Sequence, residues 1–190
     1  MQDVAGILLA AGRGTRFGGH KLLSPLADGT PLGVAAARHL LAALPDSLVV
    51  VRSDDEILST RLSAAGMRVI VCEQADQGMG VSLSAGVAAS SDARGWVIAL
   101  ADMPFIKPET IKSVVALLQD GAPLAAPSYD GQRGHPVGFG HAFRDDLLAL
   151  RGDQGARDLL MRHASRLVLL PVDDPGILTD VDTPADIGTA

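Results

Sequence analysis

The residues best suited to chemistry lie near the amino terminus, where an apolar run at residues 4–9 opens into Ala10-Ala11-Gly12-Arg13-Gly14-Thr15-Arg16-Phe17-Gly18-Gly19-His20-Lys21. Four glycines and four side chains able to carry positive charge fall between Gly12 and Lys21. Glycine lets backbone N–H groups approach a ligand closely, and Arg and Lys neutralise negative charge. The combination suits a polyphosphate; its alternative is a solvated Gly/Arg turn. Two common glycine motifs are excluded. The dinucleotide fingerprint G-x-G-x-x-G fails at Phe17, and a Walker A loop fails because His20 precedes Lys21 and Leu22 follows it.

Carboxylates recur in two places. Asp102 follows the apolar run 96–101, which puts it at the carboxyl edge of a sheet, where open α/β folds bind ligands. Burying it unpaired would cost its hydration, so it should face a cleft, a partner or a metal. Mg²⁺ is commonly held by one or two carboxylates plus phosphate oxygens. The alternative for Asp102 is a cap on the turn before Pro104. Asp180 and Asp182 flank one residue, and an extended backbone would point both the same way. Thr183-Pro184 opens a short helix that Asp182 or Thr183 could cap.

Three further segments carry polar groups. Gly78 to Gly86 joins a flexible loop to a helix start, where Ser82 offers a hydroxyl near unpaired N–H groups. His135 stands beside Pro136, and a lone histidine is more often structural than catalytic. Arg157 follows Gly152-Asp153-Gln154-Gly155 at a helix start, where it could hold an anion or pair with a neighbouring carboxylate.

The elements that must position these residues follow from hydrophobic patterning. Residues 4–9, 48–51, 69–72, 96–101, 124–126 and 167–172 read as strands, several of them apolar throughout, as when helices cover both faces of a parallel sheet. Thr30 and Pro31 read as N-cap and first residue of a helix reaching Leu44. Asp54-Asp55 precede a helix ending at Gly66, Pro108-Glu109 open one that stops before Gly121, and residues 82–89 form a shorter one. After Tyr129 a turn leads into residues 136–139, predicted to be antiparallel. The expected fold is a three-layer, Rossmann-like α/β domain spanning residues 1–190, its sheet mostly parallel with a small antiparallel element.

Composition narrows the partners. The chain has 190 residues, a net charge of −6 and a single cysteine, Cys72. The acidic balance argues against nucleic acid, which needs a basic face. One cysteine excludes an intrachain disulfide and a cysteine-rich metal site. No apolar run approaches membrane-spanning length and Met1-Gln2-Asp3 lacks a signal peptide's basic region, so a cytoplasmic protein without a membrane partner is expected.

The segment Leu9-Ala10-Ala11-Gly12-Arg13-Gly14-Thr15-Arg16-Phe17-Gly18, followed by Lys21-Leu22-Leu23, resembles the signature loop of the molybdopterin nucleotidyltransferase-like family. Gly78 to Gly86, Ala101-Asp102-Met103-Pro104, Gly134-His135-Pro136, Gly152 to Arg157 and Asp180-Val181-Asp182-Thr183-Pro184-Ala185-Asp186 resemble further family segments in order. His20, Gly80 and Val81 depart from the common pattern. The resemblance implies a nucleotidyltransferase fold and a loop, Leu9 to Gly14, that wraps a nucleotide together with Gly78 and Ser82. It also implies Arg16 and Lys21 on the phosphates, Mg²⁺ on Asp102 with Asp182 preferred over Asp180, and His135, Pro136 and Arg157 towards the acceptor. Ala10-Ala11 before Gly12 looks like the cytidylyl branch, so the implied substrates are CTP and molybdenum cofactor, with a recipient molybdoenzyme as candidate partner. Guanylyl transfer, another phosphate acceptor, and a non-catalytic cofactor-binding maturation factor are the alternatives.

Overall fold

The fold was obtained as a computed structural model, which describes residues 3–13, 17, 20–153 and 155–188. Its centre is one sheet built from β1 (Ala5–Leu9), β2 (Leu48–Arg52), β3 (Arg68–Cys72), β4 (Gly95–Leu100), β5 (Leu124–Tyr129), β6 (Gln132–Arg133), β7 (Val137–Gly140) and β8 (Leu167–Pro171). The order is β3-β2-β1-β4-β7-β5-β6, with β8 also pairing β5. Strands β3, β2, β1 and β4 run parallel, as do β5 and β8. The expected antiparallel element is β7, inserted between β4 and β5, with the two-residue β6 beside β5. This is the α/β architecture expected from the sequence, a mostly parallel sheet with a small antiparallel element.

Side-chain alternation along the strands divides the interior in two. Leu8, Val49, Val51, Val97 and Ala99 face one way, onto α1 (Leu32–Ala43), α2 (Glu56–Ala64) and α4 (Pro108–Gln119). Ile7, Leu48, Val50, Trp96 and Ile98 face the other, onto α3 (Met79–Ala88), α5 (Arg144–Leu148) and α6 (Ala156–Arg162). Runs apolar at every position therefore reflect burial on both faces. Few aromatics are available, and the fully buried Trp96 and Phe139 fill the centre of the second layer.

Several boundaries differ from expectation for local reasons. Helix α1 begins after Pro31 rather than on it, because Thr30 is held by Asp28, whose carboxylate accepts from the Thr30 N–H (2.8 Å) and hydroxyl (3.0 Å). Asp55 does cap α2, accepting from the Leu58 N–H. Helix α3 starts at Met79, three residues before the expected Ser82. Strand β5 continues three residues past Ala126, where β6 and β8 pair its extension. Among the described residues, no helix is long and apolar enough to cross a membrane.

Candidate functional site

The carboxyl ends of β1, β2, β3 and β4 open into a cleft of about 760 Å³. Strand β1 delivers Leu9, Ala10, Ala11, Gly12 and Arg13 to its floor, anchored where the Ala10 N–H donates to the Val50 carbonyl at 2.9 Å. Gly14 and Arg16, both expected on the phosphates, lie outside the described residues. Lys21 opens a 3-10 turn, Lys21–Leu23, and turns its side chain back into the cleft.

Lys21 is the centre of the site. Its Nζ donates to Asp102 Oδ2 and to Asp182 Oδ1, each at 3.0 Å. Its side chain is only 9% exposed, against 31% for Asp102 and 46% for Asp182. Burial opposes the ammonium, but hydrogen bonds and charge attraction from Asp182 and Asp102 outweigh it and raise the Lys21 pKa above its ordinary value. Lys21 therefore carries its positive charge at neutral pH.

Three distant segments meet there through backbone bonds. The Ala101 N–H donates to the Leu9 carbonyl, fixing the end of β4 against β1. The Asp102 carbonyl accepts from the Val181 N–H at 2.9 Å, which brings Asp182 alongside. Asp186 orders the same segment by accepting from the N–H groups of Asp182 (3.0 Å) and Thr183 (2.6 Å) and from the Thr183 hydroxyl. These bonds, led by the Thr183 N–H, hold the Asp186 carboxyl below its ordinary pKa. The terminal 3-10 turn, Pro184–Gly188, is thus tied from within by Asp186, where Asp182 or Thr183 had been the expected cap. Asp180 is exposed and away from this cluster's hydrogen bonds.

Gly78 and Ser82 line the opposite wall. Gly78 has φ +119°, and a Cβ there would strike the Gly152 backbone, so only glycine lets the two loops approach. That approach allows the Gly80 N–H to donate to the Gly152 carbonyl and explains the early start of α3. Ser82 is buried in the first turns of α3.

His135, Pro136 and Arg157 do not line the cleft. The His135 N–H donates to the Ile177 carbonyl at 3.0 Å, a contact that Gly134 permits because a Cβ there would meet that same carbonyl. His135 Nδ1 is buried with no hydrogen-bond partner among the described residues. Burial first, then the Arg133 charge, hold its pKa below the ordinary value, against the opposite pull of Asp102 and Asp180. Arg157 is exposed on α6.

The cleft also holds residues that the sequence did not single out as site residues: Arg52, Asp54, Asp55, Asp76 and Asp153. Arg52 ends β2, and Asp76 lies four residues beyond β3 in the 3-10 turn Ala75–Gln77. Arg52 sits where the rule that singled out Asp102 applies, a charged group at the end of an apolar strand, and applying that rule to β2 would have found it. Asp76 gave no such signal.

This fold and cleft define a nucleotidyltransferase. A family model described as the MobA-like NTP transferase domain matches residues 6–175, and the chain belongs to that family. It is 32% identical to the purine catabolism protein PucB of Bacillus subtilis, the match covering 95% of this chain and 92% of that protein. The crystal structure of Rv0371c from Mycobacterium tuberculosis superposes with a TM-score of 0.83 at 28% identity, covering 97% of this chain and 95% of that one. Rv0371c has also been solved in complex with manganese.

A protein of Thermococcus gammatolerans named "Probable molybdenum cofactor guanylyltransferase" is 30% identical, the match covering 75% of this chain and 72% of that protein. This overturns the cytidylyl expectation drawn from Ala10-Ala11. The structure supplies the physical reason for the misreading. Ala11 is one of several residues that line the cleft, together with Arg52, Asp76 and Met79, so a single methyl group there is a poor gauge of the base the cleft admits.

Proposed function

We propose that this protein transfers GMP from GTP to the terminal phosphate of molybdopterin or molybdenum cofactor, releasing pyrophosphate. The observation that carries the reading is the convergence of Lys21, Asp102 and Asp182 at the end of a glycine-bordered cleft. The molybdenum-cofactor relative's name supports guanine as the base.

In-line attack of the acceptor's phosphate oxygen on the α-phosphorus forms one P–O bond and breaks the bond to pyrophosphate. Such chemistry needs positioning and charge stabilisation rather than a protein nucleophile. Gly12 and its neighbours give backbone N–H groups close access to the phosphates, and Lys21 offsets charge growing on the pyrophosphate. Arg16 is assigned the same task. Ser82 and Gly78 face the nucleoside, while His135, Pro136 and Arg157 remain candidates for the acceptor side.

Among the described residues no group of three or more potential metal ligands occurs. Asp102 and Asp182 nevertheless fit Mg²⁺: both are hard oxygen donors, and they already converge on one cationic nitrogen. Bound there with phosphate oxygens, Mg²⁺ would supply charge neutralisation at the α-phosphate.

The deciding experiment offers purified protein molybdopterin, Mg²⁺ and each nucleoside triphosphate in turn. Formation of the guanine dinucleotide with pyrophosphate release, fastest with GTP, is the expected result. No dinucleotide with any nucleotide would overturn the reading and leave a binding protein. A second expectation concerns Lys21. Lys21→Met should weaken GTP binding by about tenfold or more, the scale of one charge-assisted contact, while guanosine binding changes little. Calorimetry checks this, and equal losses for both ligands would mean that Lys21 acts through folding.

A further inference from the structure

We infer that Arg52 is the residue that recognises the base, by donating two hydrogen bonds from the end of its guanidinium to the O6 and N7 acceptors of guanine. The inference rests on the guanylyl reading and deepens it.

Position comes first. Strands β2 and β4 flank β1, so the ends carrying Arg52 and Asp102 stand two strand spacings apart, about 10 Å. The glycine-bearing turn after β1 lies between them. With phosphates over that turn and the reacting phosphorus at Asp102, the ribose and base extend along the sheet edge towards β2 and β3. Arg52 lines the cleft there.

Geometry comes second. Arg52 Nε donates to Asp54 Oδ1 and Arg52 Nη2 to Asp54 Oδ2, both at 2.8 Å. This two-point clamp fixes the guanidinium plane along one edge. A guanidinium has five N–H donors, and the clamp uses one from each of two nitrogens. The Nη1 pair and the second Nη2 proton form another parallel fork at the tip. The Arg52 side chain is only 11% exposed, while Asp54 is 63% exposed. A largely covered arginine side chain whose guanidinium is held in one plane by an outer carboxylate loses little freedom on binding a planar ligand.

Chemistry comes third. The tip fork needs two adjacent acceptors in one plane. Guanine presents O6 and N7 in that arrangement, whereas adenine places an N6 donor beside N7, facing the guanidinium with like polarity. Once the base covers the fork, leaving one of its donors unpaired penalises the wrong purine. Asp54 is then a positioning residue, acting through Arg52.

The test compares GTP with 7-deaza-GTP, which replaces the N7 acceptor by C–H, in calorimetric titrations with Mg²⁺. Wild-type protein should bind 7-deaza-GTP at least about tenfold more weakly, as expected for a lost charge-assisted bond. Arg52→Met should bind both ligands alike, at the weaker level. Arg52→Lys retains the charge and the aliphatic stem but lacks the fork, so it should also lose the discrimination, and it serves if the Met variant fails to fold. Equal binding of the two ligands by wild-type protein would overturn the proposal, as would full discrimination in either variant. Discrimination without dinucleotide synthesis would sink the proposed transfer and leave the base contact. Guanylyl transfer with equal binding of both ligands would do the reverse.

Discussion

Asp102→Asn should retain its fold and lose Mg²⁺-dependent nucleotidyl transfer by at least about a hundredfold, the scale on which removal of one transition-state charge contact acts. The substitution keeps the side chain's size, and the backbone bond from Val181 to the Asp102 carbonyl does not involve the carboxylate. What disappears is one of the two anionic oxygens that converge on Lys21. Turnover against Mg²⁺ concentration, with a melting curve alongside, checks the expectation. Near-normal turnover in a folded variant would remove Asp102 from the reaction and reduce it to a partner of Lys21.

Asp174→Ala should cost about 3 kcal/mol or more of stability, lowering Tm by roughly 6–12 °C for a chain of this size. Asp174 is 1% exposed, and its carboxylate accepts from the Lys107 N–H (2.9 Å), the Thr110 hydroxyl (2.6 Å) and the Gly176 N–H (3.2 Å). It therefore joins the start of α4 to the 3-10 turn Pro175–Leu178, whose Ile177 carbonyl holds His135. Alanine leaves these donors buried and unmatched. Thermal melting decides it, and a shift below about 2 °C would show that water or neighbouring groups replace the carboxylate.

The sequence carried the strands and their burial well, because a run such as Trp96 to Leu100 has no exposed face to obscure its pattern. It carried Asp102 and Lys21 through their places at strand ends and in a glycine-rich segment. Strand order was not legible. Nothing local says that β7 enters between β4 and β5, since that choice is made by contacts distant in the chain. The role of Asp186 was hidden for a similar reason: Asp182 and Thr183 are both good capping types, and only in the folded chain does the later carboxylate reach back to their N–H groups. Asp174 lay in an unremarkable Asp-Asp-Pro stretch, and two of its three partners, Lys107 and Thr110, are more than sixty residues away. Base choice was misread because one methyl group, that of Ala11, was taken as the gauge of a cleft that residues from several other segments also line.

Lys21 bridges positions 81 and 161 residues away. During synthesis on the ribosome, β1, β2 and β4 can pair once residue 102 has emerged, and the lysine can already meet its first carboxylate. The second arrives only with residue 182. Closing the longer loop costs little more entropy than closing the shorter one, because loop entropy grows only with the logarithm of length. The consequence is one of timing: a growing chain acquires its framework early, and the complete triad is absent from every intermediate shorter than that.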